Sequence, residues 1–222
     1  MRFNTKLLHG NKMGDANTGA TLTPVYQSSA FYQPSAEQHE KLFHNKATGF
    51  SYTRINNPTI FAFEERMTTL EGGIASVACA SGMAAITNAL LNIVTCGQEI
   101  VASTSLYGGS IDVFHDFEAF GIKMVFVDIS DVNAVEAAIN ENTRVIFAET
   151  IGNPKLDVVD IEALAELAHQ HNLPLVMDNT VATAYLVKPI EKGADIVVNS
   201  TSKYINGNSN AISGVITESG RF

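Results

Sequence analysis

Lys203 lies in Asn199-Ser200-Thr201-Ser202-Lys203-Tyr204, directly after the apolar run at 196–198. A lysine just past a buried strand end is uncommon, because burial disfavours the ammonium form and lowers its pKa. That is the property an amine needs to form a Schiff base. In an extended segment Ser200 and Ser202 point to one side and can hold a phosphate together. Asp178 closes the run Leu175-Val176-Met177, where a carboxylate is costly unless paired with a cation. A protonated ring nitrogen would be such a partner, and the pairing keeps the ring an electron sink. Ser81-Gly82-Met83 joins a strand to a helix, so its backbone N–H groups point at an anion that the helix dipole favours. Tyr107, in SLYGG, offers a face for stacking on a flat ring. Tyr52 and Arg54, two residues apart, fall on one side if extended and suit a phosphate clamp.

Each of these has a plainer reading when taken alone. Lys203 and Arg54 fit exposed loops, Asp178 fits a turn cap, Ser81 an ordinary helix N-cap and Tyr107 an aromatic closing the core. Other chemistries find less support. No GxGxxG or GxxxxGK occurs, which argues against dinucleotide and P-loop sites. The six histidines, at 9, 39, 44, 115, 169 and 171, show no HxxxH or HExxH spacing, so no metal site is expected.

The elements that must position these residues alternate. Residues 1–50 carry turn formers (Gly10, Gly14, Asp15, Asn17, Gly19, Pro24) and little periodicity, which reads as an extended arm. The spacing predicts a helix over 59–70, entered through Asn57-Pro58 and closed by Gly72-Gly73. Strands are predicted at 74–79, 99–103, 122–127, 144–149, 174–178, 194–198 and 211–217, and helices at 83–95, 109–119, 131–140 and 160–171. Runs such as VIFA and LVMD are nearly all apolar, as strands covered on both faces must be. The fold class is therefore α/β, an αβα sandwich with a mostly parallel sheet. In such sheets ligands sit at the carboxyl ends of strands, where Ser81-Gly82, Tyr107, 149–153, Asp178-Asn179 and 200–203 all fall.

Composition narrows the class. In 222 residues, 23 acidic side chains outnumber 14 basic ones for a net charge of −9, with no basic stripe for nucleic acid or anionic lipid. Cys79 and Cys96 lie in apolar surroundings that fit core thiols in a reducing cytosol. The start MRFNTKLLHG lacks the apolar stretch of a signal peptide, so export by that route is not indicated. The least polar long segment, 76–94, carries Ser81, Thr87, Asn88 and Asn92 and suits a strand and helix better than a membrane span. A cytoplasmic metabolic protein is expected.

Read in order, YTRINNPT, CASGMAA, LYGGS, ETIGNP, MDNTVAT and STSKY resemble the motif series of the Cys/Met-metabolism enzymes that depend on pyridoxal 5'-phosphate (PLP). The resemblance covers essentially the whole chain in the family's order. It implies a PLP-dependent transferase-like large domain of fold type I over 58–222, with an N-terminal arm over 1–57 that contacts a neighbouring subunit. Lys203 matches the PLP-binding lysine that also shuttles protons, Asp178 the partner of the pyridine nitrogen, and Tyr107 the tyrosine stacked on the ring. Gly82 and Met83, through backbone N–H groups, and Ser200 and Ser202 match same-subunit phosphate contacts, with Ser81 beside them. Tyr52 and Arg54 match residues that reach the phosphate of a neighbouring subunit, which implies a homodimer or homotetramer. Asn153 and Thr180 match positions lining the cofactor and substrate pocket.

Within the family, FNTKLLHG, TLTPVYQSSAF, IGNP and ISGVITESGRF look most like the O-acetylhomoserine sulfhydrylase branch, which implies γ-replacement by sulfide or a thiol. Methionine γ-lyases usually have a cysteine soon after the stacking tyrosine; here Gly108, Gly109 and Ser110 follow. Methionine or cystathionine γ-elimination is the alternative. Two departures stand out: Gly207-Asn208-Ser209-Asn210 replaces a usual GHG or GHS element, and the chain stops at Phe222, before the family's smaller C-terminal domain and its carboxylate-gripping arginine. A truncated PLP-binding chain without turnover is the reading from another class.

Overall fold

The structure is a computed structural model that describes residues 2–10, 15 and 18–222. Of the turn formers expected in the arm, Gly14 and Asn17 lie outside the described residues. The chain divides into two compact units, Met1–Arg66 and Met67–Phe222.

The first unit carries α1 (Phe3–His9) and α2 (Ala36–Phe43). Two short helices thus interrupt the extended course expected of 1–50. The Ser35 hydroxyl caps α2 by accepting from Gln38 N, with Glu37 in the first turn. Seven or eight residues without a strong apolar face give little periodic signal. Ala30 and Tyr52 form an isolated antiparallel bridge.

Helix α3 (Pro58–Glu71) begins as the proline predicts. Asn57 Oδ1 caps it by accepting from Thr59 N at 2.8 Å. It ends where Gly72 adopts φ 81°, a backbone that a side chain would strain.

Strands and helices then alternate as β1 (Ala75–Cys79), α4 (Gly82–Leu91), β2 (Glu99–Ser103), α5 (Gly108–Glu118), β3 (Lys123–Val127), α6 (Val132–Ala138) and β4 (Thr143–Glu149). There follow α7 (Ile161–Gln170), β5 (Leu175–Asp178), α8 (Thr183–Leu186), a 3-10 turn Pro189–Lys192, β6 (Ile196–Asn199) and β7 (Gly214–Glu218). Together the strands form one seven-stranded sheet in the order β1-β7-β6-β5-β4-β2-β3. Neighbours pair in parallel from β6 to β3, while β7 is antiparallel to both β6 and β1. Six strands therefore share one direction, and their carboxyl ends lie along one edge.

Each face of the sheet has its own apolar layer. Ile100, Ala102, Phe147 and Val176 pack with Ala85, Leu90 and Phe114 of α4 and α5. Val101, Ile146, Ala148, Leu175 and Met177 pack with Val135, Leu164 and Ala168 of α6 and α7. Alternate strand residues supply opposite faces, and both sides are covered, so β2 is buried at every residue. This is the expected αβα sandwich. Among the described residues no helix is long and apolar enough to cross a membrane.

Candidate active site

Helix α4 aims its amino end at the carboxyl edge of the sheet. Ser81 Oγ accepts from Ala84 N at 3.0 Å, so the serine serves as the N-cap of its plainer reading. Among the described residues the Gly82 and Met83 amides meet no acceptor, which leaves two N–H donors at a dipole's positive end. Gly82 is required by contact. A Cβ built there would fall 2.7 Å from Ser200 Oγ and 2.9 Å from Ser200 Cα. The cradle of two amides and one hydroxyl exists because this position has no side chain. Gly214 at the start of β7 presses on the Ser81 carbonyl in the same way, which fixes the β1–α4 junction against the start of β7.

Asp178 ends β5 two residues before Thr180, whose backbone N donates to Asp178 Oδ1 at 2.9 Å. Loss of hydration pushes the Asp178 carboxyl above the usual carboxylate range, against the lowering effect of the Thr180 hydroxyl and amide. Thr180 Oγ1 in turn accepts from Ser200 N at 2.7 Å. One threonine thus ties the acid to Ser200, just past the end of β6.

Two expected geometries are not found. Lys203 does follow a buried strand end, since β6 stops at Asn199, but the chain turns through 201–206 and leaves the lysine exposed rather than buried. That turn, stapled by Lys203 N donating to Ser200 O at 3.2 Å, also replaces the extended course expected of the two serines. Ser200 faces Gly82, whereas Ser202 Oγ donates to Ser213 O at 3.1 Å and accepts from Ser213 N at 2.9 Å. The segment is not extended, so strand alternation does not set which way Ser200 and Ser202 point.

Tyr107 is half exposed at the carboxyl end of β2, at the start of α5. Its ring lies over Gly109, where a Cβ would come within 2.6 Å of Tyr107 Cε1. In the first unit, Arg54 Cζ sits 5.3 Å from the centre of the Tyr52 ring. A turn rather than an extended course brings these two side chains together.

The sequence reading put 149–153 at a strand's carboxyl end but gave Glu149, the last residue of β4, no role. Its Oε1 accepts from Tyr107 N at 2.6 Å and its Oε2 from Asn153 N at 3.1 Å. It fixes the backbone of both Tyr107 and the exposed Asn153. Burial pushes it up to about 7, with the Tyr107 amide opposing and nearby Asp178 adding to the rise. The signal was available: a carboxylate closing a buried strand, as at Asp178.

The family model for Cys/Met metabolism PLP-dependent enzymes matches residues 4–222. The chain belongs to that family. It is 45% identical over 219 residues to O-acetyl-L-homoserine sulfhydrylase of Leptospira meyeri, covering 98% of this chain and 50% of that protein. It is 39% identical over 218 residues to L-methionine gamma-lyase of Pseudomonas putida, covering 98% of this chain and 55% of that protein. Among solved structures, an O-acetylhomoserine (thiol)-lyase from Campylobacter jejuni that carries a pyridoxyl-lysine phosphate superposes with TM-score 0.94 at 34% identity, over 100% of this chain and 55% of that one. Cystathionine gamma-lyase from Lactobacillus plantarum, complexed with L-serine, gives TM-score 0.90 at 40% identity, over 98% of this chain and 55% of that one. The chain spans about half the length of the curated relatives it matches. PLP is the family's cofactor, and the sheet and helices are those of fold type I.

Proposed function

We propose that this chain forms the PLP-binding part of an enzyme that replaces the γ-substituent of O-acetylhomoserine with sulfide or a thiol. The observation that carries the reading is the convergence of Gly82, Met83 and Ser200 into an anion cradle linked through Thr180 to Asp178. The cradle suits a phosphate, and the under-hydrated Asp178 suits a cationic ring nitrogen, whose charge would relieve its burial.

In this reading Gly82 N, Met83 N and Ser200 Oγ hold the phosphate, with the Ser81 cap shaping the turn and Ser202 bracing the loop through Ser213. Tyr107 stacks on the ring face, and Thr180 and Asn153 border the pocket. Tyr52 and Arg54 serve the phosphate of a neighbouring copy, which makes the working form a homodimer or homotetramer. The exposed Leu22, Val25 and Tyr32 of the first unit, at 72%, 73% and 90%, offer apolar surface for that association. PLP bound here supplies an electron sink for a carbanion at the substrate Cα. Asp178 keeps the ring nitrogen positive, Lys203 Nζ moves the Cα proton, and Tyr107 Oη is placed to pass a proton as the leaving group departs.

Gly109 favours replacement over methionine elimination, because the Tyr107 ring occupies the space a cysteine would need. The γ-lyase relatives keep elimination as the second reading. Two experiments test the proposal. Adding PLP should produce the near-visible absorbance of lysine-bound cofactor, and borohydride reduction should then place a pyridoxyl group on the peptide containing Lys203. Lys203→Ala should lose both signals; retention of either refutes the assignment. Supplying O-acetylhomoserine with sulfide, against methionine alone, separates replacement from elimination by its products, homocysteine against a 2-oxo acid and ammonia.

A further inference from the structure

We infer that Glu71 is a positioning residue for the cofactor site, a buried carboxyl that fixes the ends of β5 and β6 so that Asp178 and Ser200 face one ligand. The inference rests on the PLP reading above. Glu71 is the last residue of α3 and has no exposed surface. Its Oε1 accepts from Asn199 Nδ2 at 2.8 Å. Asn179 Nδ2 lies 3.5 and 3.4 Å from the two carboxyl oxygens and donates to Val187 O at 3.0 Å. Both asparagines are fully buried, and each adjoins a residue of the candidate site: Asn179 follows Asp178, and Asn199 precedes Ser200. The network continues to the end of β4, since Thr150 Oγ1 lies 2.8 Å from Asn179 Oδ1 and 2.8 Å from Asp178 O.

A carboxyl is a costly filler for a dry interior, where a well-packed apolar side chain serves stability as well or better. Burial pushes Glu71 up to about 7, against the two asparagine contacts and the charge of Lys188. What a carboxylate offers in return is two acceptor oxygens, enough to orient two amide side chains from two strands. A glutamine offers one acceptor and would set its own N–H₂ against a donor. Asn199 Oδ1 is buried with no partner among the described residues, so the Glu71 contact is what orients that amide. The opposite ends of the same strands supply a matched control. Asp195, 2% exposed, accepts from Leu175 N at 2.8 Å and pairs with His169 Nε2 at 2.9 Å.

The test compares the full chain with Glu71→Gln, Asn199→Ala, their double variant and Asp195→Asn, at about pH 8 so that Glu71 is charged. PLP affinity is read by absorbance titration, and the melting midpoint is read without PLP. Glu71→Gln and Asn199→Ala should each raise the PLP Kd about tenfold, the low end of what outer-shell hydrogen bonds contribute in metal sites. The double variant should rise little beyond the larger single effect. Asp195→Asn should lower the melting midpoint and leave the Kd unchanged. Wild-type affinity in Glu71→Gln, or an equal loss of affinity in Asp195→Asn, overturns the inference. Should Glu71→Gln not fold, an unchanged Kd in Asn199→Ala overturns it instead. Failure of the underlying reading is recognisable separately, as a wild-type chain that gives no Lys203-dependent absorbance.

Discussion

Replacing Gly82 with alanine isolates the cradle in a single methyl group. The added Cβ would meet Ser200 Oγ at 2.7 Å and Ser200 Cα at 2.9 Å, with Ser200 Cβ closer still. Ordinary carbon contacts need about 3.5–4 Å, so α4 and the end of β6 must part by roughly 1 Å. Overpacking of this kind costs about 1–3 kcal/mol, and at this chain length each kcal/mol lowers the melting midpoint by about 2–4 °C. The same displacement stretches hydrogen bonds from two amides and one hydroxyl to a shared phosphate beyond useful length. Losing one of them, at about 1–3 kcal/mol, weakens PLP binding by roughly fivefold to a hundredfold. Differential scanning calorimetry and PLP titration measure the two effects. Gly108→Ala is the control, because a Cβ there meets nothing within 4 Å. Gly82→Ala with Ser200→Gly should recover part of the stability and none of the affinity. A Gly82→Ala protein with wild-type melting and wild-type PLP affinity would falsify the contact argument.

The pH dependence of the PLP-free chain follows from Glu71 and Glu149, both raised from an ordinary 4.5 to about 7 by burial. Between those values the folded chain holds protons that the unfolded chain has released, so stability falls as pH rises from about 4.5 to about 7, by up to about 3 kcal/mol per group. Chemical denaturation across that range measures the slope, which Glu71→Gln should reduce; a stability that increases over the range contradicts the assignment. Gly109→Cys should displace the Tyr107 ring, whose Cε1 lies 2.6 Å from the new Cβ, and alter the spectrum of bound PLP while changing the melting midpoint little, since Tyr107 is half exposed. An unaltered spectrum would remove the steric argument against a cysteine at that position.

Much of the second unit was legible because its central strands are covered on both faces. Unbroken apolar runs such as Val145-Ile146-Phe147-Ala148 mark them without ambiguity, and the predicted strand 99–103 coincides with β2. Helix ends were overrun where apolar residues continue past the last turn: 83–95 was expected, but α4 stops at Leu91 and Ile93 and Val94 pack in a turn. The short α1, α2 and α8 carry too few periodic residues to announce themselves. At the site, the types and order of residues were readable, but the turn at 201–206 was not, and with it went the exposure of Lys203 and the bonding of Ser202 to Ser213. Contacts made by side chains distant in sequence, such as Glu149 with Tyr107 N or Glu71 with Asn199, leave no local pattern at all.

The placement of β7 bears on how the protein is made. β1 is linked to the rest of the sheet through β7 alone, and β7 is also the strand against which β6 completes its pairing. A ribosome releases residues 75–79 long before 214–218, so during synthesis β1 and the turn at Ser81 wait beside an open border. The two halves of the phosphate cradle meet only when the last of these strands arrives. Until then the nascent chain presents bare edges to its neighbours, which makes the interval before β7 emerges the time of greatest exposure to misassociation.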